Sequence, residues 1–194
     1  MKKLVLSAAV VGAALSPVAA AAQAVPPAIV AVVDLARVTG DCTACKTASA
    51  ALRSQVTAYQ TRERTLTSPL EAEQKAIQTA IDALKGAQPD AALQARARAF
   101  DQRRQQAAQQ LQREQAQIER NQAYIRQQIA TKLAPIYQQV MQRRGANLLV
   151  ETSTTLATAQ SVDVTTDVLA ALNSAMPSVQ VNAPAQAQAK PQGR

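Results

Sequence analysis

Cysteine is the residue type with the most obvious chemistry here, and its two copies, Cys42 and Cys45, are separated by only two residues. Such a pair can be redox-active, because thiolates are stabilised at helix N-termini. However, the βαβ context of a thioredoxin-like enzyme is missing around it. In an oxidising compartment a local structural disulfide is favoured, and two unpaired cysteines packed in an apolar environment are the second option.

Few other residues could support catalysis or hold a metal. The sequence has no histidine, and a zinc site needs about four ligands, so one chain cannot build it from two cysteines. No carboxylate pair, glycine-rich phosphate loop or serine-based triad is found. We therefore predict no metal, no cofactor and no catalytic site. A thiol oxidoreductase that uses Cys42 and Cys45 is the enzymatic alternative.

Basic residues are concentrated in the middle of the chain. Residues 46–144 contain sixteen Lys and Arg against eight Asp and Glu, whereas residues 28–41 and 147–176 together carry a net charge of −4. A basic segment of this length indicates acidic partners, such as acidic polypeptides or an anionic membrane surface. A solvated helix face is the simpler explanation for any single arginine. The predicted contact residues are Arg96, Arg98, Phe100, Arg103 and Arg104.

The basic segment has the apolar spacing of a long helical hairpin. Apolar or small residues recur in steps of mostly three, four and seven, first from Leu52 to Leu84 and then from Leu93 to Val140. Gly, Pro and Asp in residues 86–90 separate the two halves, because Gly and Pro end helices. This pattern predicts an antiparallel helical hairpin arm over residues 42–144 with its tip near 86–90.

Proline interrupts the outgoing half of the hairpin. Ser68, Pro69 and Glu71 have the spacing of a helix cap, a first helical position and a capping box. Proline inside a helix costs about 3 kcal/mol. We therefore expect a kink or a short break near Ser68, which serves either packing alone or flexing of the arm.

The segments that flank the hairpin predict a small β body over residues 28–41 and 145–176. Residues 29–33 and 147–151 are expected to form strands, 155–159 a third strand, and a short helix is expected to begin at Thr165 as its cap and end near Asn173. The predicted class is therefore α+β. A body this small cannot bury enough area alone, so we expect an oligomer. The predicted oligomerisation residues are Ile29, Val30, Val32, Leu148, Val150, Val168 and Leu169.

The two ends of the sequence differ from the rest. Residues 1–24 have the charged start, the apolar run and the Ala-Gln-Ala cleavage site of a secretory signal peptide. Cleavage after about Ala24 would place the mature protein in a bacterial periplasm, which argues against nucleic acid as a partner. Residues 177–194 are rich in Pro, Ala and Gln, and they are expected to be a disordered tail.

Three segments resemble one known family. They are Ile-Val-Ala-Val-Val-Asp at 29–34, Gly-Ala-Asn-Leu-Leu-Val-Glu at 145–151, and Val-Asp-Val-Thr-Thr-Asp-Val-Leu at 162–169. Over about residues 28–175 the chain resembles the Skp/OmpH family of periplasmic chaperones, although the cysteine pair is not part of the family pattern. The resemblance implies a homotrimer whose three helical arms enclose a cavity. It also implies that the arms hold unfolded outer-membrane β-barrel proteins without ATP, and that the protein contacts anionic lipid or lipopolysaccharide.

Two non-enzymatic functions fit this sequence. The first is a holdase, in which the basic arm captures acidic clients by charge and holds them by weak apolar contacts along its inner face. The second is a structural coiled-coil spacer or adaptor of the cell envelope, which would bind folded partners through the arm tip.

Overall fold

The computed structural model describes residues 26–184. The predicted signal peptide and residues 185–194 lie outside the described part of the chain. The elements in chain order are β1 (Val30–Val33), α1 (Leu35–Asp41), α2 (Thr43–Ala83), α3 (Ala91–Arg144), β2 (Leu148–Glu151) and α4 (Thr165–Ala175). Long helices and a small two-stranded sheet confirm the predicted α+β class, with a helical hairpin that extends from a small β-containing body.

The hairpin arm consists of α2 and α3, which are 41 and 54 residues long. The turn between them contains Lys85 and Gly86, both with positive φ, so the chain reverses where glycine is favoured. Asp90 begins α3, because its carboxylate accepts a hydrogen bond from the Leu93 N–H at 2.8 Å. At the other end, Gly145 ends α3 in the left-handed conformation at φ 66°.

The short break expected near Ser68 is not present, whereas the alternative, a kink at that position, stays a prediction. Helix α2 is continuous from Thr43 to Ala83 with Pro69 inside it. Proline removes one backbone hydrogen bond, but a helix of this length packed against α3 keeps its other hydrogen bonds on both sides. The Pro69 side chain is exposed, so water can solvate the carbonyl group that lacks its N–H partner.

The sheet contains two parallel strands. Val30 pairs with Leu148, and Val33 pairs with Glu151, so the whole hairpin forms the connection between β1 and β2. On the other edge of β1, Asp163 forms an isolated parallel bridge with Val32.

The predicted third strand at 155–159 is wrong. Residues 152–154 and 160–162 form short 3₁₀ turns, and the chain between them pairs with no strand among the described residues. Threonine hydroxyl groups explain the difference. Thr154 donates to the Glu151 carbonyl at 2.8 Å, and Thr155 donates to the Thr152 carbonyl at 2.9 Å. Such local hydrogen bonds favour a turn over a ladder.

The core lies where the body meets the proximal ends of α2 and α3. Val38, Val140, Val168 and Leu172 are each 0% exposed at its centre. The body consists of β1, α1, β2, α4 and the adjoining ends of α2 and α3. Further core members are Ala31, Val33, Cys42, Ala44, Cys45, Leu133, Ile136, Val164 and Met176.

Helix α4 begins at Thr165, but Thr165 is not its cap. The Asp163 carboxylate instead accepts a hydrogen bond from the Thr165 N–H at 2.8 Å. The Thr165 hydroxyl accepts one from the Asp34 N–H at 2.9 Å, which ties α4 to the end of β1. An ion pair of 2.6 Å between Arg144 and Asp167 joins α4 to the end of α3.

Residues 177–184 differ from the disordered tail expected at 177–194. They form an extended segment, here called the C-terminal strap, which lies along the proximal arm. Val179 packs against the core, and later residues of the strap hydrogen-bond to α2 and α3. The composition of the strap is too polar to predict a core element, but hydrogen bonds from Gln and Asn side chains hold its backbone in place.

Candidate functional site

The predicted contact residues of the distal arm all lie on α3. Arg96 and Arg103 share one partner across the hairpin, the carboxylate of Glu73 on α2, at 3.5 Å and 2.5 Å. The Glu73 side chain is 17% exposed, whereas the two arginines are about half exposed. These ion pairs hold the helices together, so part of the positive charge is already neutralised within the chain.

The other predicted contact residues make no ion pair across the hairpin within residues 26–184. Arg98 donates to the Gln94 side chain at 3.3 Å, and Arg104 forms an exposed ion pair with Asp101 at 3.2 Å on the same helix. Phe100 is half-buried. The four arginines are exposed, and the five residues do not converge on one pocket.

A groove runs between α2 and α3 along one face of the arm. It contains two cavities, of about 280 Å³ nearer the body and about 290 Å³ nearer the tip. The α2 residues that line them include Ala58, Arg62, Thr65 and Pro69, whose steps of three and four place them on one helix face. The α3 residues show the same spacing: Arg103, Ala107, Gln110, Glu114, Gln117 and Asn121. We call this surface the hairpin groove.

A buried amide lies at the proximal end of the hairpin groove. Asn121 is 2% exposed. Its Oδ1 accepts hydrogen bonds from the Gln117 side chain at 2.7 Å and from the Ala183 backbone N–H at 2.8 Å. Its Nδ2 donates to the Gln55 side chain on α2 at 2.8 Å. A buried polar network of this kind is stable only when its members are satisfied.

Gln128 lies two turns nearer the body and has a similar role. Its Nε2 donates to the Gln180 carbonyl at 2.8 Å, and its Oε1 accepts from the Gln180 N–H at 3.0 Å. Sequence reasoning did not identify Asn121 and Gln128. The available signal was an asparagine at seam spacing between Ile118 and Ile125, since polar residues at such positions usually have a specific partner.

The cysteines are joined by a disulfide. Cys42 and Cys45 are 0% and 2% exposed and belong to the core of the body. A thiol oxidoreductase needs a sulfur atom that a substrate can reach, and this pair does not offer one. Within residues 26–184 no group of three or more His, Cys, Asp or Glu side chains is placed to hold a metal ion.

Six of the seven predicted oligomerisation residues divide into a buried group and an exposed group. Val32 and Val168 are buried in the core of their own chain, and Leu169 packs against it. Ile29, Val30 and Leu148 are exposed by 54%, 38% and 46%. These three are neighbours, because Val30 pairs with Leu148 and the Ile29 carbonyl accepts a hydrogen bond from the Leu148 N–H.

Val150 lines a groove of about 360 Å³ between β2 and α3. Tyr137 and Met141 contribute to the same groove. Burial, and then the negative charge of Glu151, raises the pKa of Tyr137 above its usual value of 10.0. The Tyr137 phenol is therefore neutral at physiological pH.

The fold and these surfaces define a class of protein: a long basic helical hairpin on a small parallel sheet. A model of the OmpH family, described as outer membrane protein (OmpH-like), matches residues 29–172. The chain therefore belongs to the OmpH-like family, which confirms the resemblance found in the sequence.

A crystal structure of a proposed outer membrane chaperone (OmpH-like) from Caulobacter crescentus CB15 has a similar fold. It has a TM-score of 0.65 and 21% sequence identity, and the match covers 83% of this chain and 95% of that one. The curated proteins gave no significant match. None of the helices within residues 26–184 is both long enough and apolar enough to cross a bilayer.

Proposed function

We propose that this chain is an ATP-independent holdase chaperone of the periplasm. It binds unfolded outer-membrane β-barrel proteins and prevents their aggregation during transit to the outer membrane. The observation that carries the proposal is the hairpin arm, in which Ile77, Ala107 and Ile125 are among the few buried apolar side chains. An arm of about 40 residues reaches roughly 60 Å, and it offers a long surface rather than a deep apolar pocket.

A long surface of weak contacts suits a chaperone that must release its client without ATP. Many weak contacts within an enclosed space give avidity, and each of them can still dissociate quickly. Membership of the OmpH-like family supports this function. The description of the Caulobacter crescentus protein as a proposed outer membrane chaperone also supports it.

Charge would provide the first step of client capture. Residues 46–144 contain sixteen basic and eight acidic residues, so the arm attracts acidic polypeptides from a distance. The exposed Arg98 and Arg104 face solvent on the distal arm, with only local polar partners. The same charge would favour contact with anionic lipid or lipopolysaccharide at a membrane surface.

The exposed apolar residues of the body support a homotrimer. Ile29, Val30 and Leu148 form an apolar patch beside β2, whose outer edge has no strand partner among residues 26–184. Leu156 on the following loop is fully exposed as well. Unpaired strand edges and exposed apolar residues are the features that association with other chains would bury.

The test is an aggregation assay on an unfolded outer-membrane β-barrel protein, combined with a mass measurement of the mature chaperone. We expect suppression of aggregation and the mass of a trimer. We also expect client affinity to fall as salt rises from about 0.05 M to about 1 M, where the screening length shortens to about 3 Å. Leu148→Asp should weaken the trimer.

Each failure of the assay has a distinct meaning. Unchanged aggregation of the client would overturn the holdase and favour the coiled-coil spacer. A client affinity that does not change with salt would overturn the charge step alone. A folded monomer at micromolar concentration would overturn the trimer.

A further inference from the structure

The C-terminal strap lies along α3 up to the proximal end of the hairpin groove, and it is held mainly through its backbone, with one further hydrogen bond from Gln55 to the Asn182 side chain. The Gln128 side chain accepts a hydrogen bond from the Gln180 N–H at 3.0 Å and donates one to the Gln180 carbonyl at 2.8 Å. Asn121 accepts a hydrogen bond from the N–H of Ala183 at 2.8 Å. These contacts recognise peptide groups that every residue except proline carries, so they do not select a particular side chain.

The spacing of the two amides matches an extended peptide. Gln128 and Asn121 are seven residues apart on α3, which corresponds to about 10.5 Å along a helix. Gln180 and Ala183 are three residues apart in the strap, and three extended residues span about 10 Å. Two turns of the helix therefore match three residues of a strand, and the strap runs antiparallel to α3.

The exposure of the side chains alternates along the strap, although the Asn182 side chain also accepts a hydrogen bond from Gln55 on α2 at 2.9 Å. Val179, Val181 and Ala183 are half-buried, whereas Gln180 and Asn182 are exposed. An apolar residue at every second position is the pattern of a transmembrane β-strand, which has one face toward lipid and one toward the barrel interior. The strap thus has the pattern of the strands of an outer-membrane β-barrel.

The groove continues beyond the strap toward the tip. The cavity of about 280 Å³ has Asn182 at one end and is lined further along by Tyr59 and Ile118. The second cavity, of about 290 Å³, follows on the same face with Leu66 and Leu70. A peptide longer than the strap would therefore find both polar and apolar contacts along the arm.

We propose that the hairpin groove is a binding site for extended amphipathic strands, and that the C-terminal strap occupies its proximal end as an internal competitor. The inference rests on the proposed function and deepens it, because it names the part of the client that is bound. Asn121 makes the site recognise a peptide backbone. When the strap leaves, the buried Oδ1 of Asn121 loses the hydrogen bond from the Ala183 N–H, and the N–H of an incoming peptide can replace it.

The test removes the two N–H donors of the strap in the full-length mature protein. The variant Gln180→Pro/Ala183→Pro cannot make the bonds to Gln128 and Asn121, since proline has no N–H. Ser178→Pro is the matched control, because Ser178 is exposed and its N–H donates no hydrogen bond within residues 26–184. Loosening the strap should raise the affinity for an unfolded outer-membrane β-barrel protein by about tenfold, since a competitor is removed.

A second measurement does not depend on the client. A labelled peptide with the sequence of residues 177–184 should bind the double variant more tightly than the Ser178→Pro control. In the double-variant background, Gln128→Ala should weaken binding of this peptide by about fivefold, because two hydrogen bonds are lost. Gln127→Ala, a neighbouring exposed glutamine, should leave it unchanged.

The outcomes separate this inference from the proposed function. Equal client affinities for the double variant and the Ser178→Pro control would overturn the inference and leave the holdase intact. If no form of the protein binds the client, the proposed holdase function is wrong. The labelled peptide then shows whether the hairpin groove binds an extended strand. Peptide binding that depends on Gln128 would support the site, and absence of such binding would reject it.

Discussion

The body and the arm contain the same two helices but differ in how their side chains are packed. In the body, the ends of α2 and α3 contribute Cys45, Leu133, Ile136 and Val140 to a core with side chains from every element. Farther along, the same helices contact each other through a thin seam in which Ile77, Ala107 and Ile125 are 7–8% exposed. The protein thus has one well-packed region and one long region with little core.

This difference shows how one chain can be both stable and adaptable. Buried apolar area supplies most of the folding free energy, so the body should determine global stability. The arm depends on single apolar residues, one shared carboxylate and side-chain amides, and it should tolerate change and open locally at lower cost. The following predictions test the comparison, beginning with the largest expected effect.

A matched pair of truncations tests the comparison directly. Leu172→Ala in the body should lower the free energy of unfolding by about 3–5 kcal/mol, because a fully buried leucine leaves a cavity. Ile77→Ala in the arm should cost about 2 kcal/mol or less, because its neighbours can move into the space and water can reach it. Urea denaturation at one fixed protein concentration measures both values. Equal costs would show that the arm is packed as tightly as the body.

Removal of the disulfide should have the next largest effect on the free energy of unfolding. Replacing Cys42 and Cys45 by alanine should lower the free energy of unfolding by at most about 2 kcal/mol, because the bridge closes a very short loop. Suppression of client aggregation should be unchanged, since both sulfur atoms are buried in the body and line neither cavity of the hairpin groove. Chemical unfolding and the aggregation assay are run in parallel. A folded variant without chaperone activity would revive the thiol-based alternative.

Removal of the Glu73 carboxylate, which two arginines share, should have a smaller effect on the free energy of unfolding. Glu73→Gln removes the partner of Arg96 and Arg103 and should cost about 0.2–1 kcal/mol, because the two guanidinium groups are half exposed. The affinity for an acidic client should rise slightly at low salt, since two arginines become available. Glu71→Gln is the control, because Glu71 is exposed and forms no ion pair within residues 26–184. Identical affinities for the two variants would mean that these arginines serve only solubility.

The smallest effect is the acid dependence of the α4 cap. Hydrogen bonds from the side chain and then the backbone of Thr165 hold the pKa of Asp163 below its usual value of 3.8. A carboxylate with a depressed folded-state pKa stabilises the fold above the unfolded pKa, and this contribution is lost as pH falls through the folded value. Asp163→Asn should therefore lower the free energy of unfolding slightly at pH 7, where this contribution is fully present, and flatten the fall in stability below about pH 4. An unchanged slope in acid would contradict this.

The sequence predicted local structure well where one local rule dominated. The periodic seam and the Gly-Pro turn predicted the two long helices and the fold class, since helix periodicity is a local property of the chain. The sequence prediction failed at residues 155–159, where local β propensity was outweighed, and in the break expected near Ser68, where the local proline rule was outweighed. Threonine hydroxyl groups formed turns in the first case, and a long continuous helix tolerated the proline in the second.

Residue types and their spacing were enough to indicate the two long helices, the C-terminal helix, the accumulation of basic charge and the family, although not helix α1. Only the tertiary structure decided that Asn121 and Gln128 meet the backbone of residues 180–183 and that Glu73 holds two arginines across the hairpin. Hydrogen bonds and ion pairs depend on distances of a few ångströms between residues that are far apart in the sequence, by 52 to 62 positions for the two amides. Such distances are fixed only when the two helices and the C-terminal strap are packed together.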